Sequence, residues 1–495
     1  MDTLKNFING EFVAATVNAS EEVINPATLE VLGQTPLCNA TDISNAVASA
    51  KQAFETWSKT PVIDRVQPLF RLKSLLEEHT DEIAKIIIDE HGKTYKEAQG
   101  DLLRGIQMVE IACGMPTMMM GESLTNIAPN IDCNTTRRSI GVFAAITPFN
   151  FPAMVPFWFW PFAVASGNTF VLKPSERVPL TQMKIFELIE KAGFPKGVIN
   201  MVHGGKEVVN AILENPDIKG VSFVGSTPIA KYVYEKGTKN NKRVQALGGA
   251  KNYMVMMPDA PLEKSVKAMM DSCYGCAGER CLAGSILVGV GEAYDKLKAQ
   301  IIKEVKNVVV GNGRDLKTTL GPVISQQAKN RILSDIETAL SEGAELLVDG
   351  RNHNQKDLKG YFLAPTILDK IVPGTLLATK EIFGPVIGLM QVSSLDEAIK
   401  ILNTSEYANT TSIFTSNGGS ARQFVESVTP SMVGVNLGVP APMAFFSFGG
   451  SKDSFFGDIK VHGKSSIEFF TEKHTTMTRW YQDGQDEKVS PMWKD

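Results

Sequence analysis

The chain has 495 residues, 43% hydrophobic and 21% charged, which excludes a small disulfide-stapled module, a fibrous protein and a disordered chain. Its net charge is −4 and it has no basic tract, so nucleic acid is not expected as a main partner. Six cysteines suit a reducing compartment, and the first residues lack the features of a secretion or transit signal; both predict a cytoplasmic location.

Hydrophobic periodicity predicts an α/β protein. Helical spacing of apolar residues predicts helices over 41–57, 62–79 and 95–114. From residue 141, strands over 141–146, 169–172, 198–202 and 221–224 alternate with helices over 183–192 and 206–214, a pattern typical of βαβ units and a parallel sheet. A second series predicts another α/β domain, with strands over 253–256, 285–290, 346–348 and 386–390 and helices over 262–270, 326–342 and 395–403. The β-branched content of 467–478 predicts a late, separate strand.

An uncharged stretch over residues 139–172 is long enough to cross a bilayer. Four prolines that recur every four or five residues disfavour a continuous helix there; they are Pro148, Pro152, Pro156 and Pro161. We therefore expect a buried strand, loop, helix and strand, and no membrane partner.

Cys281 is a candidate nucleophile. It follows small residues and Arg280, which allow a ligand to approach and favour a thiolate. Two alternatives compete on local sequence: an inert buried thiol, or a metal site formed with Cys273 and Cys276. No fourth cysteine and no histidine lies within the neighbouring forty residues, so we expect no metal.

Polar residues follow two of the predicted strands. Lys173 and Glu176 end one strand near the carboxyl edge of the sheet, where open α/β sheets bind ligands, although such residues are often merely solvated. Ser226 follows another strand and a glycine; a serine there suits a phosphate at a helix start, or serves as a plain N-cap.

Five motifs in fixed order identify a resemblance over nearly the whole chain. The chain resembles the aldehyde dehydrogenase superfamily, and within it the CoA-acylating branch. The motifs are Thr-Pro-Phe-Asn-Phe-Pro (147–152), Lys-Pro-Ser-Glu (173–176), Phe-Val-Gly-Ser-Thr (223–227), Gly-Glu-Arg-Cys (278–281) and Glu-Ile-Phe-Gly-Pro (381–385).

The resemblance implies three parts. A Rossmann-type NAD-binding domain would comprise residues 1–116 and 138–245, and an α/β catalytic domain residues 246–452. A small β oligomerisation arm would comprise 117–137 and 465–495. Exposed strand edges on such an arm predict a homo-oligomer, a dimer or a tetramer.

The resemblance also implies a mechanism. Cys281 would attack a small-molecule aldehyde to give a thiohemiacetal, whose hydride passes to NAD and leaves a thioester on the enzyme. The side-chain amide of Asn150 and the backbone N–H of Cys281 would stabilise the oxyanion. Without the resemblance, a cap on the turn between two prolines is the favoured interpretation of Asn150. A non-catalytic descendant of the fold is the alternative from another class, and it would have no reason to keep this set of residues.

Further residues carry over as cofactor ligands. Lys173 and Glu176 would bind the adenosine ribose, and the carboxylate of Glu176 favours NAD over NADP because it repels a 2′-phosphate. Ser226 would contact the pyrophosphate. The other implied cofactor contacts are Thr147 and Phe149, with Glu381 and Phe383 at the nicotinamide half.

The chain departs from hydrolytic relatives at one position. Their Glu-Leu-Gly-Gly-Lys motif supplies the base that activates water, whereas Ala246 stands at the position of that glutamate here, and neighbouring Gln245 is not basic. The acyl-enzyme would then await a thiol, which predicts coenzyme A as acceptor. Glu381 acting as a substitute base keeps a hydrolytic enzyme that releases a free acid as the alternative.

The branch resemblance points to malonate semialdehyde and methylmalonate semialdehyde as substrates, with acetyl-CoA or propionyl-CoA and CO2 as products. Such aldehyde acids need a cationic clamp, for which Arg104 and Arg280 are the candidates. The branch acts in the breakdown of valine, β-alanine or inositol, and the sequence favours none of the three.

Overall fold

A computed structural model describes residues 3–351 and 358–481. Its strands are β1 (Asn6–Ile8), β2 (Glu11–Val13), β3 (Ser20–Ile24), β4 (Val31–Pro36), β5 (Ser123–Ala128), β6 (Ile131–Ser139), β7 (Val142–Ile146), β8 (Thr169–Lys173), β9 (Ile199–Met201), β10 (Ile218–Val224), β11 (Arg243–Leu247), β12 (Asn252–Met256), β13 (Gly284–Val290), β14 (Glu345–Val348), β15 (Thr366–Asp369), β16 (Val386–Val392), β17 (Tyr407–Ala408), β18 (Thr410–Phe414), β19 (Met432–Val435), β20 (Ser451–Lys452), β21 (Phe455–Phe456) and β22 (Thr471–Arg479).

The α-helices are α1 (Ala40–Trp57), α2 (Val62–Arg65), α3 (Gln67–Glu78), α4 (Thr80–His91), α5 (Tyr95–Cys113), α6 (Met115–Met118), α7 (Met154–Phe157), α8 (Trp160–Ala165), α9 (Leu180–Ala192), α10 (Lys206–Glu214), α11 (Thr227–Lys239), α12 (Leu262–Tyr274), α13 (Ala293–Glu304), α14 (Gln326–Ser341), α15 (Leu376–Thr379), α16 (Leu395–Thr404), α17 (Gly418–Ser427) and α18 (Gly463–Phe470). The α/β class predicted from periodicity is confirmed.

The first sheet has the order β2-β1-β9-β8-β7-β10-β11-β21. Its central strands β9, β8, β7, β10 and β11 are parallel, and β7 and β8 are buried along their whole length, as expected for a sheet covered by helices on both faces. In chain order, β8 and β9 are added on one side of β7, and β10 and β11 are then added on its other side. This reversal creates a switch point between the carboxyl ends of β7 and β10, where open α/β sheets bind their ligands.

The second sheet has the order β14-β15-β16-β13-β12-β18-β19 and is parallel except for the β14–β15 pair. It joins the first sheet directly, because β11 ends at Leu247 and β12 begins at Asn252. Residues 248–251 therefore bring the carboxyl edge of the first sheet against the amino edge of the second.

A third sheet of order β22-β6-β5 brings together two distant segments of the chain. Thr471 pairs with Ser139, and the antiparallel register runs to Arg479 opposite Ile131. The strand expected over 467–478 is wrong at its start, because residues 463–470 form α18 and only the following residues are extended. The part of the expected arm over 482–495 lies outside the described residues.

The uncharged stretch folds as predicted. It forms β7, the short helices α7 and α8, and β8, all with buried residues. Pro156 and Pro161 lie in the first turns of these two helices, where the missing proline N–H breaks no helical hydrogen bond. In the part of the chain that the structure describes, no helix combines the length and apolar character needed to span a bilayer.

The helix predicted over 95–114 is confirmed as α5, and its start has a clear cause. Thr94 accepts a hydrogen bond from the Glu97 N–H at 3.4 Å, and the Glu97 carboxylate accepts one from the Thr94 N–H at 3.0 Å. This capping box satisfies two free backbone donors of the first turn. The helix predicted over 62–79 is divided into α2 and α3, with Pro68 in the first turn of α3.

Candidate active site

The predicted site residues gather where the two sheets meet. Thr147 and Asn150 follow β7, Lys173 ends β8, and Ser226 follows β10, all at the carboxyl edge of the first sheet. Cys281 precedes β13 and Glu381 precedes β16, at the amino edge of the second sheet. Since the parallel strands of each sheet point one way, the direct connection from β11 to β12 brings these two edges together.

Cys281 follows a turn with unusual backbone geometry. Cys276 (φ 51°, ψ 40°), Ala277 (φ 54°, ψ 28°) and Gly278 (φ 73°) all lie in the left-handed region, which costs energy for residues other than glycine. The Cys276 N–H donates to the Glu97 carboxylate at 2.6 Å, so α5 holds this turn. A side chain at Gly278 would also collide with the backbone of Gly384, which explains the glycine.

The Cys281 main chain is anchored from the second sheet. Its carbonyl accepts hydrogen bonds from Asn252 Nδ2 at 2.9 Å and Asn409 Nδ2 at 2.8 Å. Burial and the nearby negative charge of Glu381 raise the pKa of the Cys281 thiol to about 12. At neutral pH the sulfur is therefore a thiol, and it needs a proton acceptor before it can act as a nucleophile.

Asn150 lies beside this segment. It is 5% exposed, and its Nδ2 donates to the main-chain oxygen of Glu279 at 3.0 Å, two residues before Cys281. A primary amide carries two N–H donors, so the second remains for a ligand oxygen. The turn-cap alternative does not describe this contact, which crosses from the first sheet to the loop before Cys281.

Arg104 and Arg280 line the same cavity of about 710 Å³ as Cys281. The Arg104 guanidinium contacts only neutral groups, among them Gln107 Oε1 at 3.1 Å and the Ala441 carbonyl at 3.3 Å. It forms no ion pair within residues 3–351 and 358–481. Arg280 differs, because its Nη2 lies 3.6 Å from the Glu97 carboxylate. Of the two guanidinium groups, Arg104 is thus the one without a carboxylate.

Lys173 and Glu176 form an ion pair at the end of β8. Lys173 Nζ donates to Glu176 Oε2 at 2.8 Å and to the Gly204 carbonyl at 2.6 Å. Burial raises the pKa of Glu176, but the charge and hydrogen bond of Lys173 outweigh it, so the pKa is lowered and the carboxylate stays ionised. Thr147 lies alongside, with its N–H donating to the Lys173 carbonyl at 3.1 Å.

Ser226 is exposed at the first position before α11, and its hydroxyl makes no capping bond to that helix. The N-cap alternative therefore does not describe its side chain. Pro228 has no N–H and the Ile229 N–H donates to the Ser226 carbonyl at 3.0 Å, so the Ser226 hydroxyl and the Thr227 N–H are the donors left at the start of α11, where an anion is favoured.

Glu381 and Phe383 lie between the two sheets. A Cβ at Gly249 would be 2.6 Å from Glu381 Oε2, so this glycine allows the carboxylate to approach the 248–251 connection. Burial raises the pKa of Glu381 to about 7, against the opposing effect of the Ala250 N–H and Lys251. Phe383 packs edge-on against Phe149, with ring centroids 5.9 Å apart.

Ala246 is fully buried in β11, opposite Phe456 of β21 and in the apolar cluster that contains Phe223. No carboxylate stands at this position of the strand. Neighbouring Gln245 is also buried, and neither polar atom of its side chain has a partner among the described residues.

Comparison with known proteins decides the family. Residues 12–476 match the aldehyde dehydrogenase family. A malonate-semialdehyde dehydrogenase from Halalkalibacterium halodurans is 48% identical over 480 residues, which are 97% of this chain and 99% of the relative. The chain belongs to the aldehyde dehydrogenase family.

Solved structures of this aldehyde dehydrogenase's relatives agree over nearly the whole chain. The crystal structure of a methylmalonate-semialdehyde dehydrogenase from Oceanimonas doudoroffii has a TM-score of 0.96 at 42% identity, and 98% of this chain and 99% of that chain are covered. A Sinorhizobium meliloti 1021 protein described as a methylmalonate-semialdehyde dehydrogenase, solved in complex with NAD, has a TM-score of 0.96 at 41% identity with the same coverage.

Sequence reasoning missed a buried histidine of this aldehyde dehydrogenase. His462 lines the cavity beside Trp158 and Phe448, and neither ring nitrogen has a hydrogen-bond partner in the described part of the chain. Burial, and secondarily the charge of Arg104, lower the pKa of His462 to about 3, so the ring is neutral. No local motif marks it, because its environment is made by distant segments.

Two more missed residues, Lys93 and Asp101, have completely buried charged side chains. The Gly-Lys-Thr-x-x-Glu stretch (92–97) at the start of α5 marks a helix start but gives no sign of burial. Only the tertiary contacts of these residues, described below, show their place in the site.

Proposed function

We propose that this aldehyde dehydrogenase oxidises malonate semialdehyde and methylmalonate semialdehyde with NAD and passes the acyl group to coenzyme A with loss of CO2. The observation that carries the proposal is that Cys281 and Arg104 line one cavity. Arg104 is half-buried, and its guanidinium has no carboxylate partner in the described residues. An aldehyde that bears a carboxylate would supply the missing counter-charge while its carbonyl reaches the sulfur. The names of the relatives support the same substrate class.

The reaction begins at Cys281. The thiol gives up its proton, the sulfur adds to the aldehyde carbon, and the carbonyl electron pair moves onto oxygen. The free N–H of Asn150 and the backbone N–H of Cys281 stabilise that oxyanion. Glu381 acts electrostatically on Cys281 and, with a pKa of about 7, is partly ionised at neutral pH, so we assign it as acceptor of the thiol proton. Formation of the bond between sulfur and the aldehyde carbon draws this otherwise unfavourable transfer forward.

The residues of the first sheet fit a dinucleotide. Glu176 stays ionised and would accept hydrogen bonds from ribose hydroxyls, Lys173 orients it, and Ser226 with the start of α11 would hold the pyrophosphate. Thr147 and Phe149 would border this site, and Glu381 and Phe383 would contact the nicotinamide half. When bound, NAD supplies the hydride acceptor. Collapse of the oxyanion expels the hydride and leaves an acyl thioester on Cys281, with the thiol proton held on Glu381.

The acceptor of the acyl group follows from Ala246. Because no carboxylate at this position activates water, the thioester persists until a thiol attacks it, and thiolate exchange with coenzyme A releases the product. Loss of CO2 from the carboxylate β to the thioester carbonyl leaves an electron pair that the carbonyl delocalises, and a proton completes the methyl or methylene group. Coenzyme A loses its thiol proton when it attacks the thioester, and the carbanion takes up one proton, so no net proton is gained or lost. Malonate semialdehyde, NAD and coenzyme A therefore give acetyl-CoA, CO2 and NADH.

A steady-state assay tests the proposal. NADH formation and acyl products are measured with malonate semialdehyde while the concentration of coenzyme A is varied. We expect acetyl-CoA and NADH in equal amounts, and about one NADH per active site when coenzyme A is absent. Sustained turnover to free acid without coenzyme A would contradict the acceptor, and no aldehyde-dependent NADH would contradict the oxidation.

The hydrolytic alternative rests on one observation. Glu381 acts electrostatically on Cys281 and has a pKa near neutrality, so the same carboxylate would be able to activate water against the thioester. The two functions separate in the variant Glu381→Gln: hydrolysis would disappear with this change, whereas the exchange of a preformed acyl thioester with coenzyme A would be retained.

We further propose a cytoplasmic homo-oligomer, a dimer or a tetramer, with residues 1–116 and 138–245 as cofactor domain, 246–452 as catalytic domain and the third sheet as the arm. Both β5 and β22 are edge strands of that sheet within the described chain. Leu124 and Met477 on these strands are 65% and 64% exposed, and a second copy would cover them.

A further inference from the structure

A buried ion pair lies beneath the cavity. Lys93 Nζ is 2.8 Å from Asp101 Oδ2, and both side chains are 0% exposed. Removing two charges from water costs several kcal/mol per ion, and apolar replacements of such pairs are often neutral or stabilising. Stability alone therefore does not account for this pair, and its contacts indicate what else it does.

The pair holds both ends of one segment of the site. Lys93 Nζ donates to the main-chain oxygen of Asn150 and lies 4.0 Å from the ring centroid of Phe151. Asp101 Oδ1 accepts a hydrogen bond from the Met154 N–H at 2.8 Å. The segment 150–154, which connects β7 to α7, is thus fixed at its first and last residues by the two charges.

The same helix also holds the opposite side of the site. Glu97, one turn before Asp101 on α5, accepts the Cys276 N–H of the turn that leads to Cys281. The amide of Asn150 bridges the two sides through its bond to the Glu279 carbonyl. Helix α5 and Lys93, two positions before its first residue, therefore fix the distance between the Asn150 segment and the Cys281 segment.

We propose that Lys93 and Asp101 are positioning residues, which hold the Asn150 amide in register with Cys281 so that the oxyanion donors are in place before the aldehyde binds. This inference rests on the proposed function of Asn150 and Cys281. Neither charge touches the reacting atoms. Their effect on the reaction passes through the Asn150 side chain, and this makes the inference separable from a general role in folding.

A double-mutant cycle tests the inference. Lys93→Met, Asp101→Asn and the double variant Lys93→Met/Asp101→Asn are each made in the native chain and with Asn150→Ala. The measurement is the single-turnover rate of NADH formation with malonate semialdehyde. Because a misplacement of about 1 Å costs on the order of 100-fold, we expect Lys93→Met to slow this rate by about 100-fold in the native chain and by less than about threefold with Asn150→Ala.

One variant, one binding measurement and one control distinguish an effect on the reaction from an effect on folding. The double variant removes both charges together, so no unpaired buried charge remains to unfold it, and Asp101→Asn keeps the side-chain volume. The dissociation constant of NAD, from quenching of tryptophan fluorescence, should stay within about twofold because the cofactor site is untouched. Lys51→Met, which breaks an exposed ion pair with Asp217 of the same 2.8 Å length, is the matched control and should leave the rate unchanged.

Equal fold-losses in the native and Asn150→Ala chains would overturn the inference, because they would show that Lys93 acts independently of Asn150. Parallel loss of NAD binding in the double variant would do the same. Failure of the native chain to oxidise any aldehyde would instead contradict the proposed function, so the two failures are distinguishable.

Discussion

The two approaches to Cys281 differ in the way their charges are balanced. On the proposed cofactor side, Lys173 and Glu176 form an ion pair, so their opposite charges balance within the protein. On the proposed aldehyde side, Arg104 has only neutral contacts in the described residues, and burial lowers the pKa of its guanidinium. A balanced site binds a ligand by hydrogen bonds and shape, whereas a site with an excess charge selects a ligand of the opposite charge.

The strongest test of this division removes the sulfur between the two sides. Cys281→Ala should lower aldehyde-dependent NADH formation by at least about 10⁴-fold, because no other group forms the thioester. Binding of NAD, measured by fluorescence titration, should be unchanged because Cys281 is not one of the proposed cofactor contacts. A residual rate within about tenfold of the native enzyme would contradict the assignment of Cys281.

The next test addresses the excess charge. Arg104→Leu should reduce kcat/KM for malonate semialdehyde about 100-fold relative to that for propanal, since a charge-assisted contact to the substrate is lost. Arg280→Leu should have a smaller selective effect, about tenfold, because Glu97 already takes part of its charge. Arg422→Leu is a matched control on the exposed face of α17, where Arg422 pairs with Glu426. If Arg104→Leu lowered kcat/KM equally for malonate semialdehyde and propanal, the result would contradict the proposal that Arg104 binds the substrate carboxylate.

The balanced side should respond more weakly. Glu176→Gln keeps the shape but removes the charge, so the dissociation constant of NAD should rise about tenfold and that of NADP should change less. The preference for NAD over NADP would then narrow, as measured by titration with both cofactors. Glu187→Gln, on the exposed surface of α9, is the control. An unchanged ratio would show that Glu176 does not select the cofactor.

The smallest expected effect is a shift of a pH profile. Because the negative charge of Glu381 contributes to the raised pKa of Cys281, Glu381→Gln should lower that pKa. Below the thiol pKa, alkylation by iodoacetamide follows the thiolate fraction and rises about tenfold per pH unit, so the profile should move to lower pH. Mass spectrometry of the Cys281 peptide distinguishes it from the other five cysteines. A shift to higher pH would contradict the electrostatic link.

Sequence patterns predicted the elements whose burial repeats at a fixed period. The helix over 95–114 and the buried strands of both sheets are of this kind, because one face or both faces pack against a core. The short strands β1 to β4 gave no such signal, since they have three to six residues and several exposed positions. The β-branched content of 467–478 predicted a strand from residue 467. Residues 467–470 are helical instead, because Ile467, Phe469 and Phe470 of α18 are buried in the same apolar cluster as α8.

The site divides in the same way. Short contiguous sequence motifs contain five of the candidate residues, so the family resemblance was able to indicate them. These are Cys281, Asn150, Lys173, Glu176 and Glu381. Lys93 and Asp101 were not predicted because their role depends on contacts 57 and 53 residues away along the chain. A buried charge cannot be recognised from its own sequence neighbours, because burial is a property of the assembled fold.

The length of the connection over residues 248–251 fixes where the Cys281 main chain lies relative to the first sheet. Asn252, the first residue of β12, holds the Cys281 carbonyl, and only these four positions separate it from the end of β11 in the other sheet. One inserted residue would turn alternate side chains of β12 to its opposite face and withdraw that amide. The length of this interval is therefore constrained together with its composition, because Gly249 within it leaves room for the Glu381 carboxylate.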